Sequence, residues 1–230
     1  MTLSVLAADE KFFGNPVFQN QLLPATLETI YMTIATSLIV AIFGLPLGVF
    51  LHNLGPRGLY PNRGVYRVLS LLVDLGRSVP FIVLLIALIP FTRIIVGTAL
   101  GWGAAVVPLS VGAIPFFARL VENSLREVSA GKVEAVKMMG ASNGHITRHV
   151  LVREGMPGIV GGFTVTVVTL ISYSAMAGVI GGGGLGTLAF NYGYQRYQAD
   201  TMLACVVLLV IIVALVQYTG DKIAHAIDHR

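Results

Sequence analysis

Long apolar stretches divide the chain, and one polar stretch interrupts them. Residues 29–51 carry no charge, and residues 68–92 are apolar except for Asp74 and Arg77. Residues 94–118 are again uncharged, with the denser part starting at Ala104. Residues 155–195 hold no charge at all, are too long for one helix across a bilayer, and crowd with glycine after Gly178. Residues 201–220 form a last apolar run, closed by Asp221 and Lys222. A membrane-spanning helix needs about 20 mostly apolar residues. The pattern therefore predicts an all-α integral membrane protein. Five spans are expected near 22–51, 66–92, 104–124, 157–180 and 201–223, in one domain over residues 1–230. An irregular or re-entrant piece is expected after the fourth span, where only backbone buried in protein or lining a cavity is tolerated.

The polar stretch, 125–155, has a helix–turn–helix pattern. Ser129 is placed to cap a first helix carrying Val133, Val136 and Met139, with Glu134 and Lys137 spaced to pair at i, i+3. Gly140 stands where a helix needs a left-handed residue to stop. Ser142 is placed to cap a second short helix, on which Ile146 and Val150 share a face beside Arg148 and His149. Such a knob suits a groove on a partner protein. It equally suits a helix lying on lipid headgroups, and periodicity leaves both open.

Composition agrees with the membrane reading. Of 230 residues, 55% are hydrophobic and 11% charged, whereas soluble domains carry about 25% charged residues; mean hydropathy is +0.81. The single Cys205, inside an apolar run, reads as a small buried hydrophobe. The opening MTLSVLAADEK has no basic residue before its short apolar run and does not look like a cleaved secretory signal. The net charge of +4 reports orientation. Arg57, Arg63, Arg67, Arg126, Lys132, Lys137, Arg148, Arg153, Lys222 and Arg230 fall on one side of the five spans, and Lys11, Arg93 and Arg196 on the other. Basic residues gather in the cytoplasm, so the N-terminus is expected outside, the C-terminus inside, and the helix–turn–helix in the cytoplasm.

Pro46, Pro80, Pro90, Pro108 and Pro115 fall inside spans, so these helices are more than anchors. Gly44/Gly48 and Gly158/Gly162 are small pairs at four-residue spacing, which lets helices approach closely. Ordinary packing is the plain reading of each pair, and together they argue for a tight bundle.

Candidate chemistry is sparse. GGGGLG, Gly181 to Gly186, fits a dinucleotide pattern but follows a membrane helix, and Thr187 stands where a phosphate-binding lysine belongs. It reads as a flexible turn at the outer face. The pairs His145/His149 and His225/His229 have metal-binding spacing but no further ligand nearby, and read as solvated interfacial histidines. Asp74 and Arg77 can pair on one face, either as a structural pair or as a functional one. Arg119, Glu122 and Asn123 mark the inner end of the third span and are expected at the interface. Met176, among small residues with Ser174 and Tyr173, suits a narrow apolar constriction or a packing gap. No metal, cofactor or nucleic acid is expected, and no enzymatic site of the chain's own.

Glu134-Ala135-Val136, with Gly140 four residues after Val136, resembles the EAA-x-x-x-G loop of ABC importer permeases. That loop ends in Leu-Pro, whereas Val150-Leu151-Val152-Arg153 has Arg153 in place of the proline, and Pro157 follows. GRSVPFIVLLIALIPFTRIIVGTALG, PFFARLVENSLREV, SYSAMAGVIGGGGLG and YGYQRYQAD are similar to the methionine importer permeases. The resemblance implies the type I importer permease fold and a homodimer in a bacterial inner membrane. It also implies two cytoplasmic ABC ATPase subunits and an extracytoplasmic methionine-binding protein. It places Glu134, Ala135, Met138, Met139, Gly140, Ala141, Ser142, Ile146 and Val150 at the ATPase joint. Met176, Ser174, Tyr173 and Arg77 are expected at the translocation path or gate. The competing expectations are a permease for another small solute, an ATP-independent carrier, and an assembly scaffold that carries nothing.

Overall fold

A computed structural model of the protein describes residues 16–228. Lys11, His229, Arg230 and the opening segment lie outside the described residues. The helices run in the order α1 (Pro16–Leu54), α2 (Arg63–Ser78), α3 (Phe81–Ala87), α4 (Ile89–Val96), α5 (Trp102–Arg126), α6 (Ala130–Met138) and α7 (Asn143–Ile146). A π-helical turn, Thr147–Leu151, leads into α8 (Val152–Val179). Then come α9 (Gly184–Leu188), a second π-helical turn, Ala189–Tyr194, and α10 (Ala199–Ile227). Four helical segments are long and apolar enough to cross a membrane, and a fifth is the bent pair α2–α3.

The span expected over 66–92 is therefore a broken one. Helices α2 and α3 meet at 98°. Val79 is extended, at φ −78 and ψ 125, because the residue before a proline is pushed out of the helical region. Pro80 then opens α3, where its missing N–H costs no helical bond. A second break at Leu88 precedes Pro90, which sits in the first turn of α4.

Helix α5 is the central strut, and small residues set how closely its neighbours approach. A Cβ on Gly48 of α1 would lie 2.5 Å from the Ala118 carbonyl oxygen and 2.6 Å from the Val121 Cβ. A Cβ on Gly44 would meet Phe117 at 2.9 Å. From the other side, Gly155, Gly158 and Gly162 of α8 lie against Leu125, Ser124 and Leu120 of α5. Leu109, Phe117, Val121, Leu125, Leu151 and Leu170 form the buried seam between these helices. Cys205 is fully buried with Leu185 and Leu188. By contrast α10 leaves Leu203, Val206, Val210, Ile211 and Leu215 bare, as a helix facing hydrocarbon does.

The glycine run is held rather than loose, which corrects its reading as a flexible turn. Gly181, Gly183 and Gly184 have φ of +85, +78 and +72. The Glu28 carboxylate accepts the Gly184 N–H at 2.7 Å, and the Thr29 hydroxyl accepts the Leu185 N–H at 2.9 Å. The Gly101 N–H donates to the Gly181 carbonyl at 2.8 Å, tying the turn before α5 to the turn after α8.

The close approach of α1 and α5 predicts a sharp contrast. Gly48→Val should destabilise the folded chain by about 1–3 kcal/mol through overpacking. Gly103→Ala, whose new Cβ meets nothing within 4 Å, should stay within about 0.5 kcal/mol. Thermal unfolding of both variants in neutral detergent checks this.

Candidate functional site

At the end of the bundle where α5 stops and α8 begins, the chain builds a projecting helix–turn–helix. Helix α6 ends in a Schellman turn. The Gly140 N–H donates to the Lys137 carbonyl at 3.0 Å, and the Ala141 N–H to the Val136 carbonyl at 3.4 Å. Gly140 takes φ +82, the left-handed conformation this turn requires. The Ser142 hydroxyl then caps α7 by accepting the His145 N–H at 3.3 Å. The turn leaves Met138 and Met139 at the tip, 89% and 84% exposed. Glu134, Ala135 and Ser142 are exposed around them, while Ala141 and Val150 are half-buried.

The base of the projection is fixed. Asn53 at the end of α1 donates to the Thr147 hydroxyl at 3.3 Å, and Asn143 donates to the Leu59 carbonyl at 3.2 Å. The ammonium of Lys132 on α6 reaches the Glu154 carboxylate on α8. Leu151 joins the main core, with Val128, Val133 and Val152 packed on it. Three expectations change here. Ile146 is fully buried, so it supports the projection from inside instead of sharing an outward face with Val150. Among the described residues no ion pair joins Glu134 to Lys137; the ion pair of α6 is Lys132 with Glu154. Ser129 precedes α6 but its hydroxyl makes no cap bond. The rings of His145 and His149 stack 4.3 Å apart on the outer side.

Beside this base lies a charge network that sequence reading underestimated. Glu122 is fully buried inside the bundle, not exposed at its surface. Arg119 and Arg126 both donate to its carboxylate, and the Tyr66 hydroxyl adds a third bond at 3.1 Å. Arg119 also reaches Asp74 at 2.8 Å and the Ser70 hydroxyl at 2.9 Å. The network thus binds α2 to α5. The legible signal is the spacing Arg119, Glu122, Arg126, which stacks three charges on one helix face. Arg77 stands 4.0 Å from Asp74, with its guanidinium 5.8 Å from the centre of the Phe116 ring.

The expected gate residues do not form one cluster. Tyr173 on α8 stacks on Phe81 of α3, with ring centres 4.3 Å apart. Met176 is exposed on α8, on one stripe with Val165, Ser172 and Val179. Ser174 is turned inward and donates to the Ile171 carbonyl at 2.7 Å, because a hydroxyl in an apolar helix satisfies itself on its own backbone. Arg77 belongs to the flank of α2, away from this stripe.

Comparison with known proteins gives one consistent picture. The family described as "Binding-protein-dependent transport system inner membrane component" matches residues 44–230. A probable D-methionine transport system permease protein of Vibrio cholerae is 49% identical over 209 residues, covering 91% of this chain and 93% of that protein. The methionine import system permease protein of Bacillus subtilis is 44% identical over 221 residues, covering 96% of this chain and 99% of that protein. A solved structure of the MetNI methionine ABC transporter in an inward-facing conformation superposes with a TM-score of 0.91 at 45% identity. It covers 94% of this chain and 100% of its own.

The buried network generates a stability prediction. Glu122→Gln leaves two arginines facing an uncharged group and should cost about 3–5 kcal/mol. Asp74→Asn, at a carboxylate whose side chain is 54% exposed, should cost about 1 kcal/mol or less. The loss of monodisperse protein on heating in detergent ranks the two.

Proposed function

The chain belongs to the family of binding-protein-dependent transport system inner membrane components, and from that premise we propose that it imports methionine as the permease of an ATP-driven transporter. It works as a homodimer with two cytoplasmic ATPase subunits and an extracytoplasmic methionine-binding protein. The observation that carries this reading is the projection at Glu134–Val150, bare at its tip and fixed at its base. A tip of two exposed methionines is an adaptable apolar plug for a groove. A base bonded to α1, to the loop after it and to α8 passes any push on the tip into the spans.

Charge supports the orientation. Arg57, Arg63, Arg67, Arg126, Lys132, Lys137, Arg148, Arg153 and Lys222 flank one end of the bundle, while Arg93 and Arg196 flank the other. The basic end is cytoplasmic, with the N-terminus outside and the C-terminus inside. ATP is spent in the partner, since the N–H groups of Gly184 and Leu185, which a phosphate would use, are taken by Glu28 and Thr29.

Methionine is a zwitterion, and bare hydrocarbon is a high barrier to it. The stripe Val165, Ser172, Met176 and Val179 is left bare on a helix that otherwise packs centrally, so it faces a second copy across the two-fold axis. Met176 narrows the path there, Tyr173 braces α8 on α3, and Ser174 fixes the helix backbone behind them. The Arg77 head lies on the polar flank of α2, facing water below the gate. Nucleotide closure of the ATPases draws the projections together, and the spans change from inward-open to outward-open. Glu134, Ala135, Met138, Met139, Gly140, Ala141 and Ser142 form the outer side of the joint, and Ile146 and Val150 its inner support.

Vesicles containing the permease, its ATPase and the binding protein test the reading. Labelled methionine should enter only with ATP, and uptake persisting after ATP depletion refutes it in favour of an ATP-independent carrier. Gly140→Val adds a Cβ that meets no neighbour but forces a strained backbone. It should leave the protein in the membrane and lower uptake per ATP on the order of tenfold, a coupling free energy of ordinary size. Met176→Ala should change the rate or side-chain selectivity of uptake while ATP hydrolysis continues.

A further inference from the structure

The corner between α1 and α2 holds more positive charge than the chain itself balances. A cavity of about 240 Å³ opens there, lined by His52, Gly55, Pro56, Arg57, Tyr66 and Arg126. A second hollow, which shares Pro56 and Tyr66 with the first, is lined also by Arg63, Arg67 and Leu71. Of the carboxylates beside α2, Glu122 is committed to Arg119 and Arg126, and Asp74 to Arg119. Glu134, across a further hollow from Arg57, is one negative charge against three arginines. Among the described residues the side chains of Arg57, Arg63 and Arg67 have no ion pair. His52 is only 8% exposed, and its ring, with no hydrogen-bond partner among the described residues, borders the first cavity.

Depth and surroundings identify what balances this charge. The apolar run of α1 closes at Leu51, and His52, Asn53 and Arg57 follow, the change of composition expected where hydrocarbon gives way to headgroups. Helix α2 starts from the same corner and keeps Val65, Val68, Leu72 and Leu75 bare along one flank, each 46–61% exposed. Leu71, 57% exposed, lines the second hollow and neighbours Val68 and Leu75 at i−3 and i+4 on the helix surface. A cationic hollow edged by aliphatic side chains in this way matches a phosphate diester carrying acyl chains.

We propose that the α1–α2 corner is a binding site for an anionic phospholipid of the cytoplasmic leaflet. Arg57, Arg63, Arg67 and the His52 ring hold its phosphate, and its chains lie along the Val65–Leu75 flank of α2. The side of the membrane rests on the orientation argued above, but the binding itself does not depend on what is transported. The site adjoins the base of the projection, since Arg57 and Arg126 also border a hollow reaching Val133 and Glu134 of α6. The bound lipid therefore packs behind the coupling element.

Native mass spectrometry of the detergent-purified permease with its ATPase partner tests this, with phosphatidylglycerol, phosphatidylethanolamine and glycerol phosphate as probes. Phosphatidylglycerol should stay bound through a detergent wash that strips phosphatidylethanolamine. Each change among Arg57→Gln, Arg63→Gln and Arg67→Gln should weaken its retention about fivefold. Arg196→Gln, at the other end of the bundle, should leave retention unchanged. Equal retention of both lipids overturns the proposal, as does unaltered retention in the triple variant. Displacement by equimolar glycerol phosphate overturns the lipid source and leaves a free-anion site. Loss of the ATPase subunit from the triple variant with lipid retention intact reassigns the arginines to protein docking. If the triple variant does not fold, Arg57→Gln, on the exposed loop, gives the reading alone. Methionine uptake by the same preparations reports separately on the transport function.

Discussion

Helices in hydrocarbon gain little from touching apolar surface to apolar surface, because lipid offers the same contact. What holds them is close approach of their backbones. In this chain that constraint is met along α5, gripped by Gly44 and Gly48 of α1 on one side and by Gly155, Gly158 and Gly162 of α8 on the other. Everything functional is referred to that grip. The projecting helix–turn–helix leaves from the end of α5 and returns into the start of α8, so its two roots belong to the same tightly packed pair. Its position is therefore set by close-packed glycine contacts, to the Ala118 carbonyl on one side and to the side chains of Leu120, Ser124 and Leu125 on the other, that tolerate little slack.

Helix α2 meets this grip along a narrow strip, and packing alone would let it roll about its axis. The Glu122 network supplies the missing orientation. A buried carboxylate is costly unless its partners are well placed. Here Arg119 and Arg126 of its own helix and Tyr66 of α2 surround it, while Arg119 extends to Ser70 and Asp74. These bonds can form only with one face of α2 turned towards α5. Once that face is fixed, the polar flank with Arg63, Arg67 and Arg77 and the aliphatic flank with Val65, Val68 and Leu72 are fixed with it. The network contributes direction more than stability.

Much of this was legible in the sequence where one residue type meets one local rule. Gly140 ended its helix in the left-handed turn that only glycine adopts cheaply, and Ser142 capped the next helix through its own hydroxyl. Arg153, standing in place of a proline, was readable as a departure, and the helix does run on through it. Other features depended on tertiary partners that no local pattern contains. Pro80 was visible, but the 98° bend it permits depends on where α3 finds Phe81 its partner, Tyr173. Glu122 read as an exposed charge because charges near helix ends usually are; its enclosure needs Tyr66 of α2, far away in sequence, as well as the arginines of its own helix. The glycine run looked loose because glycine allows freedom, yet Glu28 and Thr29, contributed by α1, take up its N–H groups. Ile146 had the spacing of an outward face, and the packing at the root of the projection claimed it.

The departure at Arg153 has a mechanical consequence. With no proline at that position, helix continues from Asn143 through a single π-helical turn into α8 and on to Val179. At 1.5 Å per residue this is a rod of roughly 50 Å. Pro157, inside it, removes one backbone bond but does not stop the helix. The inner support of the proposed ATPase joint, at Ile146 and Val150, and the side proposed to narrow the path, at Met176, are thus two ends of one continuous helical element. A hinge between them would absorb a push at one end. A continuous helix instead carries a displacement at the root of the projection into a displacement at the proposed gate, past the line where Gly158 and Gly162 lie against Ser124 and Leu120 of α5.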